Sequence, residues 1–182
     1  DIVILGAMGN ISGASVGISA GGSVTISGTV GDITSTAHTI YADGDITISD
    51  GGVVGKIGAG GTGSKSGTHG IYAGGSVTIH GATGNISGIY YGIHAKGGDV
   101  IIGGKTGAID CALSTSSDKS SGIRAKGSVA VTSTGETGAI SSKTDYGIYA
   151  ETGNVLISGT TGDITGAKAF GILALAGGIT IS

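Results

Sequence analysis

Arg124 is the only arginine in a chain of 182 residues, and it stands in a slot that recurs seven times. The recurring phrase is Gly-Ile-x-Ala or a near variant, and its third position holds Ser19, Tyr41, Tyr72, His94, Arg124, Tyr149 and Leu173. Two residues before each isoleucine stand Val16, His38, His69, Tyr91, Ser121, Tyr146 and Phe170. These two columns collect five of the six tyrosines and three of the four histidines. If the phrases stack, His38 with Tyr41, His69 with Tyr72, Tyr91 with His94 and Tyr146 with Tyr149 line one edge. Rigid amphipathic aromatics on such an edge offer contact area for sugar rings or a partner protein. The same rings, stacked turn upon turn, would instead hold neighbouring turns together, and this second reading is favoured.

A catalytic reading centres on the same edge. Lys96 and Lys126 lie two residues beyond His94 and Arg124, making a small basic patch, and Glu151 follows one repeat later. A polysaccharide-binding or polysaccharide-cleaving protein could use Arg124, Lys126 and His94 against an acidic glycan. Hydrolysis by paired carboxylates has no support, because the acids that share a slot, Asp45 and Asp99, belong to repeats two apart. No catalytic residue is therefore assigned, and catalysis remains the alternative.

Other motifs carry less. Gly58-Ala59-Gly60-Gly61-Thr62-Gly63 spells the dinucleotide fingerprint, but that motif needs a following helix to hold the pyrophosphate and an acid about 20 residues on. In Gly63-Ser64-Lys65-Ser66 a serine separates the glycine and lysine that a phosphate loop keeps adjacent. Calcium-binding nonapeptide turns are not spelled out. Asn10-Ile11-Ser12 and Asn85-Ile86-Ser87 are sequons better explained as turns, and the lone Cys111 reads as a buried or loop thiol. The aligned Thr25, Thr47 and Thr78 would suit an ice-binding face, but the column continues as Ile101, Ala130 and Leu156. No cofactor or metal is expected.

The elements that would position these residues follow from the repeat itself. The phrase isoleucines Ile18, Ile40, Ile71, Ile93, Ile123, Ile148 and Ile172 recur every 22 to 31 residues, the signature of a solenoid. Each interval holds three apolar stations: the Gly-Ile strand, a Val-x-Ile strand such as Val77-Thr78-Ile79, and an isoleucine after a polar turn, as in Gly84-Asn85-Ile86. Strict alternation turns the isoleucines inward. Three stations predict three faces, and the whole predicts an all-β, right-handed parallel β-helix of about seven rungs, a single segment spanning residues 1–182. At ~4.8 Å per rung it would measure ~34 Å. Composition agrees: 41 glycines, no proline, no tryptophan and one phenylalanine suit a narrow interior of small aliphatics rather than a bulky globular core. A net charge of −3 gives no footprint for nucleic acid, and no apolar run is long enough to span a membrane as a helix.

Loop lengths add a further expectation. Ile57 to Ile71 and Ile109 to Ile123 span 14 positions where Ile11 to Ile18, Ile33 to Ile40 and Ile86 to Ile93 span seven. The long loops 58–69 and 110–121 thus share one corner, and such insertions in solenoids often map to one face. Both terminal Val-x-Ile stations, Ile2 with Ile4 and Ile179 with Ile181, lack a neighbour in the sequence. The expectation is that they stack head-to-tail on copies of the chain or continue into further solenoid of the same chain.

With the rung defined, Gly70-Ile71-Tyr72-Ala73, Tyr146-Gly147-Ile148-Tyr149-Ala150 and Gly153-Asn154-Val155-Leu156-Ile157-Ser158-Gly159 resemble the passenger repeats of autotransporters and related type V secreted surface proteins. The resemblance runs the length of the chain and is compositional. It implies an extracellular or bacterial cell-surface β-helix, often adhesive toward surface glycans or host proteins, and usually without catalytic residues.

Overall fold

A computed structural model describes residues 1–59, 68–112, 120–167 and 169–182, and every strand pairing in it is parallel. No helix occurs among the described residues. The chain visits four ladders in a fixed order on each turn, and each strand pairs with its equivalents one turn before and one turn after. The Val-x-Ile stations form an eight-stranded sheet from Ile2–Ile4 to Ile179–Ile181. The Gly-Ile stations form a seven-stranded sheet from Ile18–Ala20 to Ile172–Ala174, and the third stations another from Ile11–Ser12 to Ile164–Gly166.

The expectation of three faces is corrected to four. Six two-residue strands, from Thr29–Val30 to Thr160–Thr161, make a short ladder between the Val-x-Ile and third-station sheets. Its inward column runs Val30, Val54, Thr83, Thr106, Thr137, so the apolar signal fades after two turns although the position stays buried. The third station likewise carries more than its isoleucine. Ser35, Cys111 and Ser142, two residues beyond the isoleucine, are buried there as well.

The predicted isoleucine register is observed directly: Ile18, Ile40, Ile71, Ile93, Ile123, Ile148 and Ile172 are successive partners across neighbouring turns. From Ile40 to Ile148 these side chains have no solvent exposure, and each such burial contributes about 1.5–3 kcal/mol. Thr39 stands before Ile40, but the glycine before Ile71, Ile93, Ile123 and Ile148 has a steric cause. A Cβ at Gly92 would lie 2.7 Å from the Gly122 carbonyl oxygen and 2.8 Å from Ile109 Cγ2, and Gly70, Gly122 and Gly147 are pinched in the same way.

One corner is held by side chains. Asp1 Oδ1, Ser23 Oγ, Asp45 Oδ1, Ser76 Oγ, Asp99 Oδ1, Ser128 Oγ and Asn154 Oδ1 each accept the backbone N–H of the equivalent residue one turn later, at 2.6–3.2 Å. This explains why Asp45 and Asp99 share a slot two turns apart. Both are caps for the corner, and the serine between them keeps like charges off adjacent turns.

Candidate functional site

The Gly-Ile ladder carries the aromatic columns on its outer side. The register sets Ser19, Tyr41, Tyr72, His94, Arg124, Tyr149 and Leu173 in one row, as alternation requires. The row before the glycine does not join the interior. His69 meets the outward Tyr72 at a ring separation of 5.2 Å, and Tyr91 meets His94 at 4.6 Å. His69 and Tyr91 are nevertheless buried, and Tyr91 packs with Ile89, Tyr90 and Cys111 in a cluster separate from the isoleucine core. The two rows thus form a second layer outside the coil.

Within that layer the first half is a stack. His38 and His69 are 4.9 Å apart and within 9° of parallel, His69 and Tyr91 are 5.1 Å apart and within 3°, and Tyr41 and Tyr72 are 5.2 Å apart and within 5°. These separations follow the spacing of adjacent strands. Ring faces therefore lie against rings of the next turn. Tyr72 then meets His94 edge-on at 87°.

Arg124 fills the place where the inner row has only Ser121. Its guanidinium lies 5.6 Å from the Tyr91 ring centre and 5.3 Å from that of Tyr149, and Nη1 donates to the Tyr91 hydroxyl at 2.8 Å. Glu151 closes the arrangement, with Oε2 3.6 Å from Arg124 Nη2 and Oε1 2.6 Å from Lys126 Nζ. Beyond the arginine, Tyr146 stacks on Tyr149 at 5.1 Å and on Phe170 at 6.2 Å. Phe170 is 56% exposed.

Protonation states follow from this packing. Burial, reinforced by the nearby Arg124 and Lys96 charges, pushes His94 down to about 4, so its ring is uncharged at neutral pH. Its buried Nδ1 has no hydrogen-bond partner among the described residues. Burial also lowers His38. The Lys126 hydrogen bond holds Glu151 below the usual carboxylate range, and the hydrogen bond from the Tyr41 hydroxyl to Asp43 Oδ1 at 2.6 Å raises Tyr41.

The structure thus brings His38, Tyr41, His69, Tyr72, Tyr91, His94, Arg124, Tyr146 and Tyr149 into one array, with Lys126 attached through Glu151. The candidate stacking strands with Ile2, Ile4, Ile179 and Ile181 are the two outer strands of the eight-stranded sheet, where Ile179 and Ile181 are 48% and 66% exposed. Gly58 and Ala59 end the strand Ile57–Ala59, while the rest of the nucleotide-like motifs and the greater part of both long loops lie within 60–67 and 113–119, outside the described residues. Among the described residues no group of three or more histidine, cysteine, aspartate or glutamate side chains could hold a metal ion, and no helix is long and apolar enough to cross a membrane.

Sequence spacing finds the two columns but misses the tyrosine sandwich around Arg124, since Tyr91 lies 33 residues away and the bond depends on a serine in the intervening slot. The absence of a ring at Ser121, beside the only arginine, is the signal that could have revealed it. Comparison with protein-family models, with curated proteins and with solved structures found no match for this chain.

Proposed function

We propose that this chain is a structural and interactive segment of an extracellular surface protein of the passenger kind, a stalk, filament or adhesin segment that works without turnover. The observation that supports the reading is the closed arrangement of the outer layer. Its rings present their faces to one another, and Arg124 is committed to Tyr91, Tyr149 and Glu151. Groups so engaged act as staples between turns, adding about 0.5–1.5 kcal/mol per aromatic pair to the backbone ladders. Further turns, of the same chain or of another copy, would stack on the outer strands bearing Ile2 and Ile4 or Ile179 and Ile181, since open strand edges pair readily.

A second reading, binding or cleavage of an acidic polysaccharide, is favoured by one feature. Lys96 and Lys126 are neighbours across the turn and flank an arginine whose side chain is 25% exposed. Incubation with uronate-rich polysaccharides tests both readings. The structural reading expects no release of unsaturated or reducing ends, and release that disappears in Arg124→Ala would overturn it.

A further inference from the structure

We propose that the outer layer is an acid-sensitive clasp: the imidazoles of His38, His69 and His94 hold the early turns together while uncharged and loosen them once protonated. The inference rests on the staple reading above and adds its regulation.

The geometry begins with one contact. Nδ1 of His38 and Nδ1 of His69 lie 2.9 Å apart across neighbouring turns. One nitrogen must carry the hydrogen and the other the lone pair, so the bond tolerates at most one cationic ring. A proton on each sets N–H against N–H and places two positive charges between stacked rings, a strongly coupled second protonation.

His94 extends the same logic. Its buried Nδ1 has no hydrogen-bond partner among the described residues, so a hydrogen added there finds none in place. Among the described residues, His38 faces Tyr41, His69 and Tyr72, with Asp43 reached only through the Tyr41 hydroxyl. His69 faces His38, Tyr72, Tyr91 and His94. His94 faces Tyr72, His69 and Tyr91, with Arg124, Lys96 and His38 opposing a positive charge there. The one acid acting on it, Glu151, is bonded to Lys126 and paired with Arg124.

The sign follows from the lowered basicity of His38 and His94 in the folded state. Stability from His94 is complete above its unfolded value of 6.5 and is lost as pH falls from there toward about 4. Between pH 7 and pH 5, where most carboxylates stay ionised, that single ring raises the local opening constant about 20-fold.

Amide hydrogen exchange in the strand Tyr91–Ala95, corrected for the intrinsic pH dependence of exchange, measures this opening, and NMR titration follows the rings. The clasp expects a rise of at least about 20-fold in the native chain, smaller by roughly that factor in His94→Phe, which keeps a ring without a titratable nitrogen, and His94 resonances titrating well below 6.5. An unchanged rise in His94→Phe, or ordinary titration near 6.5, overturns it. Tyr72→Ala separates the two readings. Unchanged opening at pH 7 removes the staple and the clasp with it, whereas increased opening at pH 7 together with an unaltered pH response in His94→Phe overturns the clasp alone.

Discussion

The isoleucine ladder inside the coil and the aromatic layer outside it share one strand, yet they are built on opposite rules. Inside, the same residue repeats at every turn, and Ile71, Ile93, Ile123 and Ile148 are interchangeable members of a buried row. Outside, the residue changes from turn to turn, and each depends on its neighbours: Arg124 fits because Ser121 leaves room and Tyr91 and Tyr149 flank it. Repetition suffices where dispersion and dehydration do the holding, because these are non-directional. Hydrogen bonds and ring contacts are directional and need particular partners.

Substitutions can break this comparison, beginning with the interior. Ile93→Ala removes a fully buried side chain from the middle of the row and is expected to cost about 2–5 kcal/mol in chemical denaturation. Ile123→Ala should cost a similar amount, since the rule inside is uniform. A difference of several kcal/mol between the two would show that the interior is as position-specific as the exterior.

The outer layer should respond less and unevenly. Tyr72→Ala, which removes contacts to Tyr41, His69 and His94, is expected to cost about 1–2 kcal/mol. Leu173→Ala, in the same row, should cost clearly less. Equal losses at the two positions, read from the same denaturation curves, would make the layer a uniform covering rather than a set of matched pairs.

The corner sharpens the contrast. Asp45→Ala and Asp99→Ala each remove an acceptor for one backbone N–H, at a cost of about 1 kcal/mol apiece. The residues lie two turns apart, so the double variant should show the sum within about 0.5 kcal/mol. The smallest effect has the opposite sign. Thr106→Val places in the short ladder the residue type that Val54 already supplies two turns earlier, and it should raise the denaturation midpoint by up to about 1 kcal/mol equivalent.

How far each feature could be read from the sequence follows the same division. The isoleucine rows, their register and the parallel solenoid were legible because a non-directional core repeats its residues, and repeats survive loops of unequal length. The short ladder escaped because Thr83, Thr106 and Thr137 take over from Val30 and Val54, so its burial has no apolar signature. Ser35 and Ser142 hid the second buried position of the third station for the same reason. In the outer layer the membership of the columns was legible, since stacking follows from register. What lies between the members was not: the N–N contact of His38 with His69 and the reach of Arg124 to Tyr91 depend on side-chain direction across turns, which spacing does not encode.

The corner row of Asp, Ser and Asn side chains has a direction. Every oxygen in it belongs to one turn and receives the N–H of the turn that follows in the chain. A turn added on the C-terminal side finds its acceptor already in place, whereas one added on the N-terminal side must deliver the acceptor itself. The coil is therefore a one-way template, and a chain that emerges N-terminus first meets, turn by turn, a mould left by the residues that went before.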